Sequence, residues 1–259
     1  MILAMRQIGA ISKITMLEGA RKQIFHVLML FAMTLIAVST ALAFFDHNVD
    51  PKVVKDLCLV AILVSISIIA ITMSVSGVPA EIEAKTVYPV LAKPMARWKF
   101  IVGKYAGTMG TVTVGMLLLF AALCLILQLF VGKIDPGVLF VIPFLLLEAA
   151  ILAAVAMFLS TIASPALAWF LAIVIYVCGN VKFALYDFIT KHDHTFVGQL
   201  CAKTVYAVLP NLECFNFKDS MVHSIPVPPM YLVQTALYGI LYIAFLITLA
   251  SMLFEQREL

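Results

Sequence analysis

Apolar residues in this chain fall in long uninterrupted runs, with the polar residues gathered into islands between them. Each run is close to the about 20 residues that an α-helix needs to cross a bilayer. The pattern predicts six spans, at 24–45, 57–78, 107–130, 138–162, 167–188 and 230–254. Their connections differ in character. A short loop of mixed charge (46–56) precedes a strongly charged island (79–106), and a tight turn follows at Lys133-Ile134-Asp135-Pro136-Gly137. A minimal link at Ser164-Pro165 leads to the fifth span, and a long polar segment (189–229) to the sixth. That segment is expected to hold helical pieces, 197–209 among them, before an extended Pro-rich lead-in at Ser224–Pro229. Residues 1–23 are predicted to form a short interfacial helix along the membrane surface, with Ile8, Ile11 and Thr15 sharing a face. Glu18 projects onto the same face and blurs it.

The fold class follows: an all-α polytopic membrane protein, one transmembrane domain over residues 1–259, with no internal repeat or soluble domain. Composition agrees. Hydrophobic residues make up 64% of the 259 and charged residues 12%, with a mean hydropathy of +1.10. A soluble chain is nearer half apolar and a quarter charged. Ala41-Leu42-Ala43 has the form of a signal-peptidase site, but the run before it exceeds a signal core, so the first span is expected to be retained.

The net charge of +3 implies no nucleic-acid partner, because the basic residues flank apolar spans, where they set topology. Arg6, Lys13, Arg21 and Lys22 precede the first span, and Lys85, Lys93, Arg97, Lys99 and Lys104 fill the island. Lysines 52, 55, 133, 191, 203 and 218 fall on the other side, with Lys182 near the end of the fifth span. Both termini and the island are therefore predicted to be cytoplasmic.

The island carries a second pattern. Glu81, Glu83, Thr86, Leu91, Pro94, Arg97, Phe100-Ile101 and Gly103-Lys104 occur in an order and spacing that resembles the signature of ABC-2 type transporter permeases. These are the exporter-type membrane subunits of ATP-binding-cassette systems. Leu209-Pro210-Asn211 resembles the segment before the last span in the branch that includes copper-enzyme maturation permeases. The ending Phe254-Glu255-Gln256-Arg257-Glu258-Leu259 is similar to that of many members. The chain departs from the pattern at Ala92, where a small hydroxyl residue is usual, and at Cys214.

The resemblance implies a permease in the bacterial plasma membrane whose island folds into a coupling helix seated on an ABC ATPase subunit. Glu81, Glu83, Thr86, Leu91, Pro94, Arg97 and Lys104 are the coupling residues so implied. Pro89 and Pro94 can divide the island into short helices, and a solvated loop anchored by Trp98 is the plain alternative. The chain has no GxxxxGK[ST] phosphate loop, so it is not an enzyme alone. ATP and magnesium would belong to two copies of the partner ATPase, beside a second permease copy and membrane lipids. The cargo would be amphiphilic; in the alternative, ATP-driven motion acts through 189–229 on an extracytoplasmic partner. A polytopic membrane enzyme is disfavoured, because the chain has neither HExxH nor GxSxG. Gly103 and Gly107, with Gly110 beyond, form a small-residue pair that suits packing within the chain or between two copies.

Glu148 stands in mid-span, where a charge costs about 2.5–3.5 kcal/mol on insertion scales. It is expected to face protein or water, either as an anchor on the substrate path or as a structural hydrogen-bonding acid. Asn180, Lys182 and Asp187 are expected near the headgroups at the outer end of span five. His192, Asp193, His194 and His223 offer metal ligands beside Cys201 and Cys214, but match no metal motif, and none is assigned. Cys201 and Cys214 share a loop that would permit a disulfide in an oxidising compartment, while Cys58, Cys124 and Cys178 belong to apolar spans.

Overall fold

Among the described residues, proline opens four of the seven α-helices. Pro51, Pro136, Pro165 and Pro229 are the first residues of their helices. Proline suits that position, since its φ is already helical and its missing N–H would have no partner there. A computed structural model describes residues 2–45, 51–77, 96–130, 136–182, 187, 209–218 and 227–256. In chain order the helices are α1 (Ile2–Arg21), α2 (Gln23–Phe45), α3 (Pro51–Gly77), α4 (Arg97–Phe130), α5 (Pro136–Ile162), α6 (Pro165–Asn180) and α7 (Pro229–Gln256). A 3-10 turn, Glu213–Phe215, lies between α6 and α7, and the described residues contain no strand.

This is a helical membrane protein. Among the described residues, five helices (α2, α3, α4, α5 and α7) are long and apolar enough to cross a bilayer. The sixth apolar helix, α6, has 16 residues, about 24 Å at 1.5 Å per residue. It breaks at Val181, inside the predicted span to 188, and Lys182 and Asp187 beyond the break are again helical. The reason is local: Val181 leaves helical geometry, and the Gly179 carbonyl that a continuing helix would use accepts Leu212 N–H at 3.3 Å. Two other boundaries move the opposite way. α3 begins at Pro51 rather than 57, and α4 begins at Arg97 rather than 107. With 34 residues, α4 is about 51 Å long against a hydrocarbon core of about 30 Å. The last part of the predicted coupling loop is thus the first turns of a long helix.

α3 and α5 occupy the centre, with the other helices around them. Ala149, Ala150, Ala153, Ala154 and Ala156 are all buried on α5, small enough to let neighbouring backbones approach. Ile62, Ile66 and Ile69 of α3 fill the space toward α2, α4 and α5. A second cluster joins α5, α6 and α7 around Leu212 and Phe215, and a third joins α4, α5 and α7 around Phe100 and Phe254. Leu30, Leu118, Phe170 and Phe245 are exposed on the outer helices, the surface expected to meet lipid.

Candidate functional site

Two groups of polar side chains stand out in the bundle. In the first, α1 lies lengthwise on the early turns of α4, and residue numbers rise together along both helices. Gly103 faces Ile8 and Ile11, Gly107 faces Ser12 and Thr15, Gly110 faces Met16, and Gly19 faces Thr111. The small-residue pair therefore serves packing within the chain. The face that contacts α4 includes the predicted Ile8, Ile11 and Thr15, while Glu18 stays 55% exposed at its margin. Lys99 Nζ adds a hydrogen bond to Gln7 Oε1 at 3.2 Å, and Lys22 Nζ donates to Ser76 Oγ at 2.7 Å at the end of α3.

Two of the predicted coupling residues fall on α4. Arg97 donates from Nη1 to the Glu255 carbonyl at 3.2 Å and lies 3.5 Å from that of Phe254. A guanidinium at the last carbonyls of α7 meets groups that have no partner within the helix, at the negative end of its dipole. One turn on, Phe100 stacks on Phe254 with centroids 5.7 Å apart. Arg97 thus clasps the start of α4 to the end of α7. Lys104 is only 3% exposed; its Nζ lies 3.8 Å from Glu18 and 5.9 Å from the Phe100 ring centroid. Its described contacts brace α1 against α4. Glu81, Glu83, Thr86, Leu91 and Pro94 lie outside the described residues.

Arg97→Gln is expected to lower stability by about 0.5–1.5 kcal/mol, from lost helix-end charge and a weakened hydrogen bond. Thermal unfolding of the purified protein checks this, with Lys13→Gln on the exposed face of α1 as a control expected to change little.

The second group is built around Glu148, in the middle of α5 and 0% exposed. Asn180 Nδ2 donates to Glu148 Oε1 at 3.1 Å and also reaches the Tyr176 carbonyl at 3.1 Å. Asn180 therefore serves the bundle interior rather than the headgroups. Lys182, 7% exposed, likewise turns inward, donating from Nζ to the Leu209 carbonyl at 2.8 Å. Above this pair, residues 209–218 form a plug. Leu212 and Phe215 are fully buried and Phe217 is 3% exposed. The Asn211 N–H donates to the Tyr238 hydroxyl at 2.9 Å, and Phe215 stacks on Tyr238 at 6.1 Å. Phe217 packs edge-on against Phe144 at 4.5 Å and against Tyr231 at 5.8 Å. Two glycines make room: a methyl at Gly179 would meet Leu212 Cδ1 at 2.8 Å, and one at Gly239 would meet Leu147 Cδ2 at 2.8 Å.

Sequence reasoning found Glu148 and Asn180 separately but did not pair them, and it missed Ser67, Tyr176 and Tyr238. A lone Ser or Tyr in an apolar span carries no signal of its own. Cys214 donates its thiol to the Asn211 carbonyl at 3.0 Å, and burial pushes it up to about 11. It is a neutral, half-buried donor, a poor starting point for a thiolate metal ligand. Among the described residues no three His, Cys, Asp or Glu converge as a metal site. His192, Asp193, His194, Cys201 and His223 lie outside those residues. No protein-family model and no curated protein matches the chain.

Proposed function

We propose that this chain is the membrane subunit of an ABC-2 type exporter, a permease driven by a separate ATPase subunit. The observation that carries the reading is the ordered island motif from Glu81 to Lys104 between two apolar segments. In this reading α6 is a short fifth span, making six, and the clustering of Lys and Arg places both termini and the island in the cytoplasm of a bacterial cell. Two copies of the chain pair with two ATPase subunits, which bind ATP and magnesium, and an amphiphilic cargo moves along the helices.

The inner-end geometry supports this assignment of roles. The island joins α3 to a helix that is clasped to α7 through Arg97 and packed on α1 through its glycines. A push on the island would move α4, α1 and the end of α7 together. Glu81 and Glu83 would then supply the contact with the ATPase, while Arg97 and Lys104 hold the lever rigid.

One observation favours a second reading, in which the complex moves no cargo and pulls on an extracytoplasmic partner. The plug at 209–218 is wedged among α5, α6 and α7, so helix motion would reach the outer segment directly. Both readings require the ATPase. Affinity purification from native membranes is expected to bring down a nucleotide-binding subunit, and Glu81→Ala with Glu83→Ala is expected to lose it while the permease still folds. Arg97 is left intact, because changing it would also loosen α7. A stable complex with no ATPase, or docking indifferent to both carboxylates, would sink the proposal.

A further inference from the structure

The buried carboxyl of Glu148 is only half satisfied. Asn180 serves Oε1, while Oε2 has no hydrogen-bond partner. Ser67 Oγ on α3 is equally buried and equally without a partner. The Tyr176 hydroxyl of α6 is the polar neighbour of Ser67 Oγ, too poorly aligned for a good hydrogen bond, and the same side chain lies near Glu148, which links the two groups. Orphaned polar atoms converging on one buried spot mark a place where something is held, since buried polar groups nearly always have partners.

The charge around it decides what is held. Among the described residues, no cation pairs with Glu148 within salt-bridge distance. Lys218, the nearest amine on the plug, sits 4.0 Å from Asp56 of α3. Lys182 reaches the Leu209 carbonyl, Cys214 is a neutral thiol, and Tyr238 of α7 holds Asn211. Tyr105 of α4 donates to the Ala150 carbonyl at 2.9 Å. An ionised carboxyl with one amide donor would be costly in such surroundings. A bound metal cation is poorly served too. Oε2 and two hydroxyls are about three oxygens, fewer than the six or more that hard cations take from protein and water.

We propose that Glu148 is a proton-binding site: Oε2 carries the proton, and residues 209–218 are the lid that must lift before it exchanges with solution. The protonated Oε2 is a donor, and Ser67 Oγ accepts from it, directly or through one ordered water. Exchange makes and breaks only O–H bonds: water beyond the lid delivers the proton as hydronium and takes it back. The lid is closed by three hydrogen bonds already described: Leu212 N–H to the Gly179 carbonyl, Asn211 N–H to the Tyr238 hydroxyl, and Lys182 Nζ to the Leu209 carbonyl. Leu212 is its seal, fully buried against Gly179. This site stands or falls apart from the permease reading.

Infrared spectroscopy of the full chain in lipid nanodiscs at neutral pH tests it. The expected result is a protonated-carboxyl C=O band that shifts in D2O, is absent in Glu148→Gln, and is unchanged when sodium and potassium are replaced by choline. Ser67→Ala is expected to raise its frequency by removing the acceptor. Leu212→Ala is expected to speed its hydrogen–deuterium exchange about tenfold by easing lid opening. A spectrum with no Glu148-dependent protonated band would overturn the proposal. So would a band that disappears with sodium or potassium, which would give the site to a metal cation. Should Glu148→Gln fail to fold, an unmoved band in Ser67→Ala would overturn it alone, and unchanged exchange in Leu212→Ala would remove the lid.

Discussion

Gly107→Ala is expected to destabilise the protein by about 1–3 kcal/mol, although alanine is the better helix former. A methyl at this position would sit 2.5 Å from Thr15 Cβ and 2.6 Å from the Ser12 carbonyl oxygen. The carbonyl belongs to the backbone of α1 and cannot rotate away, so the two helices must separate. Gly110→Ala is the matched control. Its methyl would meet the Met16 sulfur at 3.0 Å, the far end of a flexible side chain that can swing aside. There the gain in helix propensity, about 0.8–1.0 kcal/mol, offsets the crowding, and the change is expected to be small. Thermal unfolding of both variants in one detergent distinguishes them. Equal stability would mean that α1 does not pack on α4 as described. In the permease reading Gly107→Ala should also weaken coupling, because α1 would no longer move with α4.

What the sequence made legible, and what it did not, divides along physical lines. Length and apolarity are local properties, so the spans now seen as α2, α3, α4, α5 and α7 could be read from runs of residues alone. The boundaries were less legible where charge and helix overlap. Arg97, Lys99 and Lys104 read as a loop, yet Trp98, Phe100 and Ile101 stand among them, and helix continues through all six. Helices begin at Pro51 and Pro229, a proline signal that runs of apolar residues do not carry. Pairings across the fold were not legible. Nothing near Arg97 in sequence indicates that it reaches the end of α7, and nothing near Glu148 indicates Asn180. Lys182 and Asn180 were expected at the headgroups because hydropathy carried α6 onward; the buried plug turns them inward instead. The Leu-Pro-Asn segment was legible as a motif, but not as a structural wedge.

That wedge makes the second large prediction. Phe215→Ala is expected to cost about 3–5 kcal/mol, the range for removing a buried aromatic ring. Phe215 is 0% exposed, stacked on Tyr238 at 6.1 Å and lodged beside Gly239, where α7 comes close to Leu147 of α5. Its loss opens a void at a junction of three elements that cannot collapse without moving α7. Two neighbours give contrast. Glu213→Ala is expected to change little, because Glu213 is exposed. Cys214→Ser is expected to be mild, since a hydroxyl can keep the hydrogen bond to the Asn211 carbonyl. Beyond stability, Phe215→Ala should raise the labelling rate of Cys214 by a membrane-impermeant thiol reagent, measured in a Cys201→Ser background. The expected coupling of the two readouts is the point of the experiment: a ring that only fills space would lower stability, whereas one that wedges the plug in place also keeps Cys214 covered. Lost stability with unchanged labelling would leave the plug seated by its hydrogen bonds alone, and the aromatic stack would then have no part in closing this end of the bundle.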